Sequence, residues 1–315
     1  MDLRLGSGGP DVERLQQKLT ALRIYSGPID GRYSPAVESA VRTFQANNAL
    51  PADGVVGPKT MTTLFPLNMA EEPMAKRCLA LTGSFETSKG PPDCFSGLAG
   101  NFDGQGFSFG ALQWNIGQGT LQPMFHLLAT NHADVVQSVF GDGCEVFGKM
   151  LALQKADQLQ WCHGIQDASG RALAEPWNSR FFALGQTPEF QAIQLAQAEC
   201  FHKDAVAMCK RFGVATERAL ALMFDILVQN GAVTSAVEAK IRADFAAIPA
   251  GVAPMDGEVL RLRSIANRKA EAANPTFVED VRRRKLTIAN GAGTVHGVVY
   301  NLESQFGIRL QPVQG

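Results

Sequence analysis

The sequence predicts a mainly α-helical protein in two parts. A small three-helix domain covers residues 1–66. After a linker over 67–72, a larger helical domain covers 73–315, interrupted by a short glycine-rich β/loop region. Three observations carry this reading. Apolar residues recur at spacings of three and four along most of the chain. Two pairs, Asp30-Gly31 and Asp53-Gly54, punctuate the first part, because Gly supplies a positive φ and Asp caps its own backbone. Seven glycines crowd between Gly97 and Gly119.

In chain order, "GPDVERLQQKLTAL" sets Val12, Leu15, Leu19 and Leu22 at helical spacing with Asp11 as an N-cap. "GPIDGRYSPAVESAVRTFQANNAL" is a turn and a second helix turning Ala36, Val37, Ala40, Val41 and Phe44 inward. "ADGVVGPKTMTTLF" repeats the arrangement: Asp-Gly, a turn, Pro and a short helix. Pro73 opens the next helix at its first turn, and "MAKRCLALTGSF" continues it toward Glu86. Residues 120–140, 187–212, 216–231, 256–273 and 275–291 supply further helices, whereas "FSFGALQW" is the one segment expected to pair as strand.

Composition excludes several classes. At 315 residues the chain is long enough for two cores, and 45% hydrophobic against 19% charged residues fits a soluble globular protein. Lys and Arg number 29 against 30 Asp and Glu, so neither nucleic acid nor a membrane surface is an expected partner; the chain is expected to act as a monomer. Met1–Gly9 has no basic start and no apolar run, so no secretory signal is expected. The six cysteines form no CxxC pair and complete no zinc spacing with His163 or His202; no metal and no cofactor are expected. Buried thiols are one reading of them and disulfides after export the other.

Val12, Leu15-Gln16, Leu19, Ile29-Asp30-Gly31, Ala40-Val41, Phe44-Gln45, Asp53-Gly54-Val55-Val56-Gly57, Thr60 and Leu64 together resemble the three-helix peptidoglycan-binding domain over nearly all of residues 5–65. Tyr33-Ser34 departs from the pattern, which often has an aromatic followed by Gly. The resemblance implies that bacterial peptidoglycan is the partner, held in a shallow groove. Arg32, Tyr33, Gln45 and Asn48 are the candidate wall contacts.

The chemistry is expected in the second part. Glycosidic cleavage needs one carboxyl that donates a proton to the leaving oxygen and commonly a second that activates water. Glu86 closes an apolar helix, where partial desolvation favours the protonated form of a carboxyl, and Asp103 stands in a solvated, glycine-rich turn. The bland alternative is a solvated helix end and an Asp that merely makes a turn. The glycine segment is a poor phosphate loop, because no Gly-Lys-Ser/Thr follows it.

Glu86-Thr87-Ser88 followed by Asp103-Gly104-Gln105-Gly106-Phe107-Ser108-Phe109-Gly110 is similar to the lysozyme-like superfamily, chitosanases in particular. Gly110-Ala111-Leu112-Gln113 also resembles the Gly-Leu-x-Gln order of lytic transglycosylases. Carried over by position, the resemblance implies Glu86 as general acid, Asp103 as general base, and Thr87, Gln113, Trp114 and Asn115 along the sugar subsites. "MFDILVQNGAV" is similar to an element of phage-type muramidases. Its Asp225, on an apolar face, needs a cationic partner; Arg283, within the run Arg282–Lys285, or else Arg268 is the candidate. His296 is expected at the surface or along the substrate wall.

The expectation is a muramidase that cleaves the β-1,4 bond between N-acetylmuramic acid and N-acetylglucosamine. It would reach the wall by holin-type release, as an endolysin, or through a secretion system, as an antibacterial effector. A lytic transglycosylase, a non-catalytic wall binder and a stem-peptide amidase are the alternatives. The amidase lacks a metal triad or a Cys/His pair.

Overall fold

The computed structural model describes residues 2–65 and 68–313, apart from the side chains of Pro10, Pro58 and Thr62. The chain divides into two compact units, Met1–Leu67 and Asn68–Gly315. The expected domain limits at Met1, Pro66, Leu67 and Gly315 lie outside the described residues. Of the segment read as linker, Met69–Glu71 forms a 3₁₀ turn with Met69 buried. The protein is mainly helical, 62% by residue, and the described strands are pieces of two to four residues, as the periodicity predicts.

In the first unit, α1 (Pro10–Ala21), α2 (Pro35–Asn47) and α3 (Pro58–Leu64) each start with a proline, whose preset φ suits the first helical position. Pro10 moves the start of α1 back to Gly9, so Asp11 sits in the first turn rather than at the cap. Ser34 is the N-cap of α2 and accepts from the Val37 amide at 3.4 Å, which accounts for a serine after Tyr33. Val12, Leu15, Leu19, Val37, Val41, Phe44, Val56 and Leu64 form the core, and Ala36 is exposed.

The internal repeat has a physical basis in two buried glutamines. Gln16 accepts from the Asp30 and Gly31 amides at 3.0 and 2.9 Å and donates to Asp30 Oδ1 at 2.8 Å. Gln45 repeats this on the next turn, accepting from the Gly54 amide at 2.9 Å and donating to Asp53 Oδ1 at 2.8 Å and the Val55 carbonyl at 2.9 Å. Each Asp-Gly turn is clamped by a helix glutamine fourteen or eight residues upstream. Gln45 is 1% exposed and therefore braces the domain instead of meeting the wall. The same correction applies to Tyr33, 2% exposed, whose hydroxyl donates to the Gly54 carbonyl at 2.8 Å and is pushed up by burial. Asn48 caps α2 by donating to the Phe44 carbonyl but stays exposed, as does Arg32.

The second unit begins with α4 (Met74–Thr87), followed by β1 (Leu98–Ala99), β2 (Ser108–Phe109) and β3 (Trp114–Asn115). These strands form an antiparallel sheet in the order β1-β2-β3, with Leu98 opposite Phe109 and Phe109 opposite Trp114. Helices α5 (Gln122–Asn131), α6 (Ala133–Phe140), α7 (Cys144–Ala152), α8 (Lys155–Gly164), α9 (Trp177–Gln186) and α10 (Pro188–Gln197) come next. Phe107, Phe109, Phe125, Phe181 and Phe190 are fully buried here, with Phe109 stacked on Phe190 at 5.3 Å and Phe107 4.9 Å from Phe181. Trp161 meets the edge of Trp177 at 5.1 Å in the same cluster, so both are packing residues.

The chain then runs through α11 (Glu199–Phe212), α12 (Glu217–Asn230), α13 (Ser235–Ala246), α14 (Pro254–Glu271) and α15 (Val278–Asn290). A hairpin of β4 (Ala292–Val295) and β5 (Val298–Asn301) and a short α16 (Leu302–Phe306) follow. Helix α12 packs against α4, α11, α14 and α15. Cys78 to Phe85 of α4 and Ala219 to Ile226 of α12 are buried without interruption, the pattern of helices covered on every side. Among the described residues no helix is long and apolar enough to cross a membrane.

Candidate active site

Glu86 lies in the last turn of α4, before Ser88 ends the helix in a left-handed conformation (φ 56°). A mid-helix glycine costs about 1 kcal/mol relative to alanine, yet Gly83 occupies the turn before Glu86. A Cβ there would stand 2.8 Å from Ala111 Cβ and 3.1 Å from its carbonyl oxygen, so the glycine lets α4 lie against the Gly110–Gln113 turn. Gly97 serves the same purpose one strand away. A Cβ on it would collide with the Thr87 side chain and reach Gln113 Nε2 at 2.9 Å. The expected site residues Thr87 and Gln113 are thus brought together beside Glu86.

Gln194 holds the turn from beneath. Wholly buried, it accepts from the Ala111 amide at 2.8 Å and donates to the Phe95 carbonyl at 2.9 Å. Gln113 adopts φ 54°, an uncommon conformation for a residue with a side chain and one that concentrates at functional sites. Its side-chain amide donates to the Gly110 carbonyl at 2.9 Å.

The Glu86 side chain is 29% exposed, and its Oε1 meets Arg284 Nη1 at 2.8 Å. Arg284 is 2% exposed and also grips Asp225, with Nη2 at 2.7 Å and Nε at 3.1 Å from Oδ1. Lys285, fully buried, pairs with Asp225 Oδ2 and donates to Gln229 Oε1 at 2.8 Å. Thr82, four residues before Glu86 and on the same face of α4, donates to Asp225 Oδ1 at 3.1 Å. Two carboxylates and two cations are joined in one set with no net charge, buried except at Glu86. Burial pushes the Asp225 carboxyl up, but Arg284 and Lys285 outweigh it and hold it at about 2. Lys285 is itself pushed down to about 8 by burial, against the attraction of Asp225.

Asp225 has the cationic support expected of it from the run Arg282–Lys285, but through Arg284 and Lys285 and not through Arg283 or Arg268. Arg283 is exposed, and Arg268 pairs with Asp244 and Glu271. On α15 the buried stripe is Val281, Arg284, Lys285 and Ile288, at offsets of 0, 3, 4 and 7, so helical phase turns Arg283 outward. That stripe is a signal the sequence carries. Thr82 and Gln229 had no such signal.

Asp103 is exposed near the tip of the β1–β2 hairpin, and its Oδ1 accepts from the Gln105 amide at 3.0 Å. Gly104 and Gly106 supply the positive φ that this tip needs, 78° in each case. Among the described residues no hydrogen bond or ion pair joins Asp103 to Glu86. Two expected subsite residues point elsewhere. Trp114 is 7% exposed, opposite Phe109 in the sheet. Asn115, 5% exposed, spends its side chain on Ser108 Oγ at 3.1 Å and the Gln118 amide at 3.0 Å, fixing the loop.

Among the described residues no three of His, Cys, Asp and Glu are grouped to hold a metal ion. All six cysteines are free. Burial pushes the Cys94 thiol up to about 12 and Cys162 to about 11, which makes them poor nucleophiles. A pocket of about 410 Å³ opens elsewhere in this unit, at the C-terminal end of α12, and neither Glu86 nor Asp103 lines it.

Comparison with known proteins bears on the two units unequally. The N-acetylmuramoyl-L-alanine amidase CwlM of Mycobacterium tuberculosis is 37% identical over 60 residues, 19% of this chain and 15% of that protein. The spore cortex-lytic enzyme of Bacillus cereus is 37% identical over 62 residues, 20% of this chain and 24% of that protein. The chain therefore spans about a quarter or less of the length of these relatives. A chitosanase of Gynuella sunshinyii with chitotetraose bound is 14% identical, with a TM-score of 0.42, over 72% of this chain and 96% of that one. Residues 8–64 match the family described as "Putative peptidoglycan binding domain", and the N-terminal unit is a member of that family.

Proposed function

We propose that the protein is a peptidoglycan glycosidase, a muramidase, held on the wall by its N-terminal unit and cleaving the β-1,4 bond after N-acetylmuramic acid. The observation that carries the reading is the fixed, partly open Glu86. Its carboxylate is gripped by a buried arginine and flanked by the Thr87–Gly97–Gln113 contact at the end of a helix buried on all sides. The N-terminal family match and the wall-lytic names borne by relatives of that unit supply the substrate class. Arg32 and Asn48 remain the exposed candidates for wall contact.

In this mechanism Glu86 donates a proton to the glycosidic oxygen as the C1–O bond breaks. Asp103 takes a proton from a water whose oxygen bonds to C1 from the opposite face, which inverts the anomeric centre. Arg284 does not lose its partner when Glu86 changes protonation, because Asp225 continues to hold it through Nη2 and Nε. Thr82 and Lys285 keep Asp225 in place. The tether raises the local concentration of the catalytic unit at an insoluble substrate. The exposed, turn-making Asp103 favours one alternative, the lytic transglycosylase route, in which the sugar's own hydroxyl attacks C1 and Glu86 acts alone.

Digestion of purified sacculi by wild type, Glu86→Gln and Asp103→Asn, read by mass spectrometry, tests these readings. Hydrolysis gives reducible muropeptide ends, and Glu86→Gln slows their release by about 10²–10⁴-fold. Anhydro-muramic ends, one water lighter, together with a rate unchanged by Asp103→Asn, select the transglycosylase. Wild type that binds sacculi but releases no glycan refutes both, and freed stem peptides indicate an amidase.

A further inference from the structure

The turn between β1 and β2 carries a side chain that the fold does not need. Phe102 is 75% exposed, more than any other large hydrophobic among the described residues, and it stands next to Asp103. Turns favour Gly, Asn, Asp and Ser, which meet the demands of the backbone, and a phenyl ring meets none of these. Phe107 and Phe109, five and seven residues on, are fully buried, whereas Phe102 is left in water. The backbone on either side of it is pinned. The Gly100 amide donates to the Arg171 carbonyl at 2.9 Å, and the Asn101 amide to Gln166 Oε1 at 3.0 Å. Asn101 Oδ1 accepts from the Gly106 amide at 2.7 Å, and the Gln105 carbonyl from the Gly117 amide at 2.7 Å. A ligand that covers a ring on so braced a turn loses little affinity to ordering it. The turn is also within reach of the candidate site. Gly97, in contact with Thr87 and Gln113 beside Glu86, lies five residues before Phe102, so at most ~18 Å of chain separates them.

We propose that Phe102 is a sugar-stacking residue: one pyranose ring of the glycan lies with its C–H face on the phenyl ring, and Gln105, exposed in the same turn, offers hydrogen bonds to the hydroxyl rim. A pyranose is apolar on its faces and polar around its edge, which matches a lone aromatic set among polar groups. A protein partner calls for a contiguous apolar patch. None of the other exposed large hydrophobics among the described residues lies in this turn or in β1, β2 or β3. The proposal deepens the glycosidase reading and rests on it for the course of the glycan past Glu86. The stacked sugar is not the one whose bond breaks, so Phe102 contributes equally to ground-state and transition-state binding. Its loss therefore raises KM and spares kcat.

The test uses the full chain and a soluble tetramer of alternating N-acetylglucosamine and N-acetylmuramic acid. Kinetics on it compare wild type with Phe102→Ala, which should raise KM about tenfold, the equivalent of about 1.4 kcal/mol, and leave kcat within about twofold. The thermal midpoint should stay unchanged, because the ring is already in water; a clear fall would make Phe102 a packing residue and overturn the proposal. Binding is read separately in Glu86→Gln, so that the tetramer survives. There Phe102→Trp should retain affinity and add a saturable fluorescence change on titration that the Glu86→Gln parent lacks, and Phe102→Ala should bind about tenfold more weakly. Should Phe102→Ala fail to fold, the Phe102→Trp titration still decides. No fluorescence response, or a tetramer affinity that Phe102→Ala leaves intact, overturns the proposal, as does a self-association by sedimentation that depends on Phe102 when glycan binding does not. Phe102-dependent binding without cleavage by wild type supports the stacking and removes the glycosidase reading; cleavage with Phe102-independent binding does the reverse.

Discussion

Replacing Asp225 by Asn tests the buried charge set most directly. Asp225 is wholly buried and accepts from Thr82, Arg284 and Lys285. The substitution keeps the shape but leaves Arg284 and Lys285, both nearly inaccessible, with only Glu86 as counter-charge. Breaking a buried pair by removing one partner costs about 3–5 kcal/mol. For a unit of this size that corresponds to a fall of about 6–20 °C in the midpoint of the C-terminal transition. Lys285→Met added to Asp225→Asn restores neutrality, so the double variant should recover about 1–3 kcal/mol relative to additive losses. Acid supplies a second readout. The Asp225 carboxyl is depressed in the folded state, so its contribution is complete above the unfolded value of 3.8 and is lost as pH falls through about 2. The drop from 3.8 to about 2 is worth roughly 2 kcal/mol. Asp244, held at about 2 chiefly by its hydrogen bonds from Arg268 and Ser264, contributes in the same window, so Asp225→Asn should flatten the acid slope without abolishing it. Differential scanning calorimetry and urea unfolding between pH 2 and 7 measure all three quantities. A loss below about 1 kcal/mol for Asp225→Asn, strict additivity in the double variant, or an unchanged acid slope would refute the reasoning.

Two further predictions concern the tether and the loop. Removal of residues 1–67 should lower the rate on whole sacculi about tenfold or more while leaving that on short soluble glycan within about twofold, compared by product release; equal losses on both would contradict the tether. Gly83→Val should cost about 1–3 kcal/mol by urea unfolding and reduce glycan release as well, because its side chain forces α4 away from Ala111. A stable, fully active Gly83→Val protein would mean that this contact does not position Glu86.

The sequence by itself determined what depends on near neighbours. Helical phase and Asp-Gly turns predicted the helices of the first unit, and the glycine cluster located the region where the first three short strands occur. The same local grammar put Glu86 at the end of a buried helix. Only the tertiary structure decided which polar residues face inward. Asp225 and Arg284 are 59 residues apart, and their pairing follows from how α12 and α15 pack, which no local pattern encodes. The stripe Val281–Ile288 indicated that Arg284 and not Arg283 turns inward, but a charged residue on a buried face reads as an error until its partner is known. Gln45 and Tyr33 resembled surface contacts because their partners are carbonyls and amides of a later turn. Trp114 was carried to the sugar subsites by its place in the glycine-rich loop beside Gln113, yet strand pairing sets it opposite Phe109 with only 7% exposed. Polarity along a chain records which groups need partners, and folding alone brings those partners within reach.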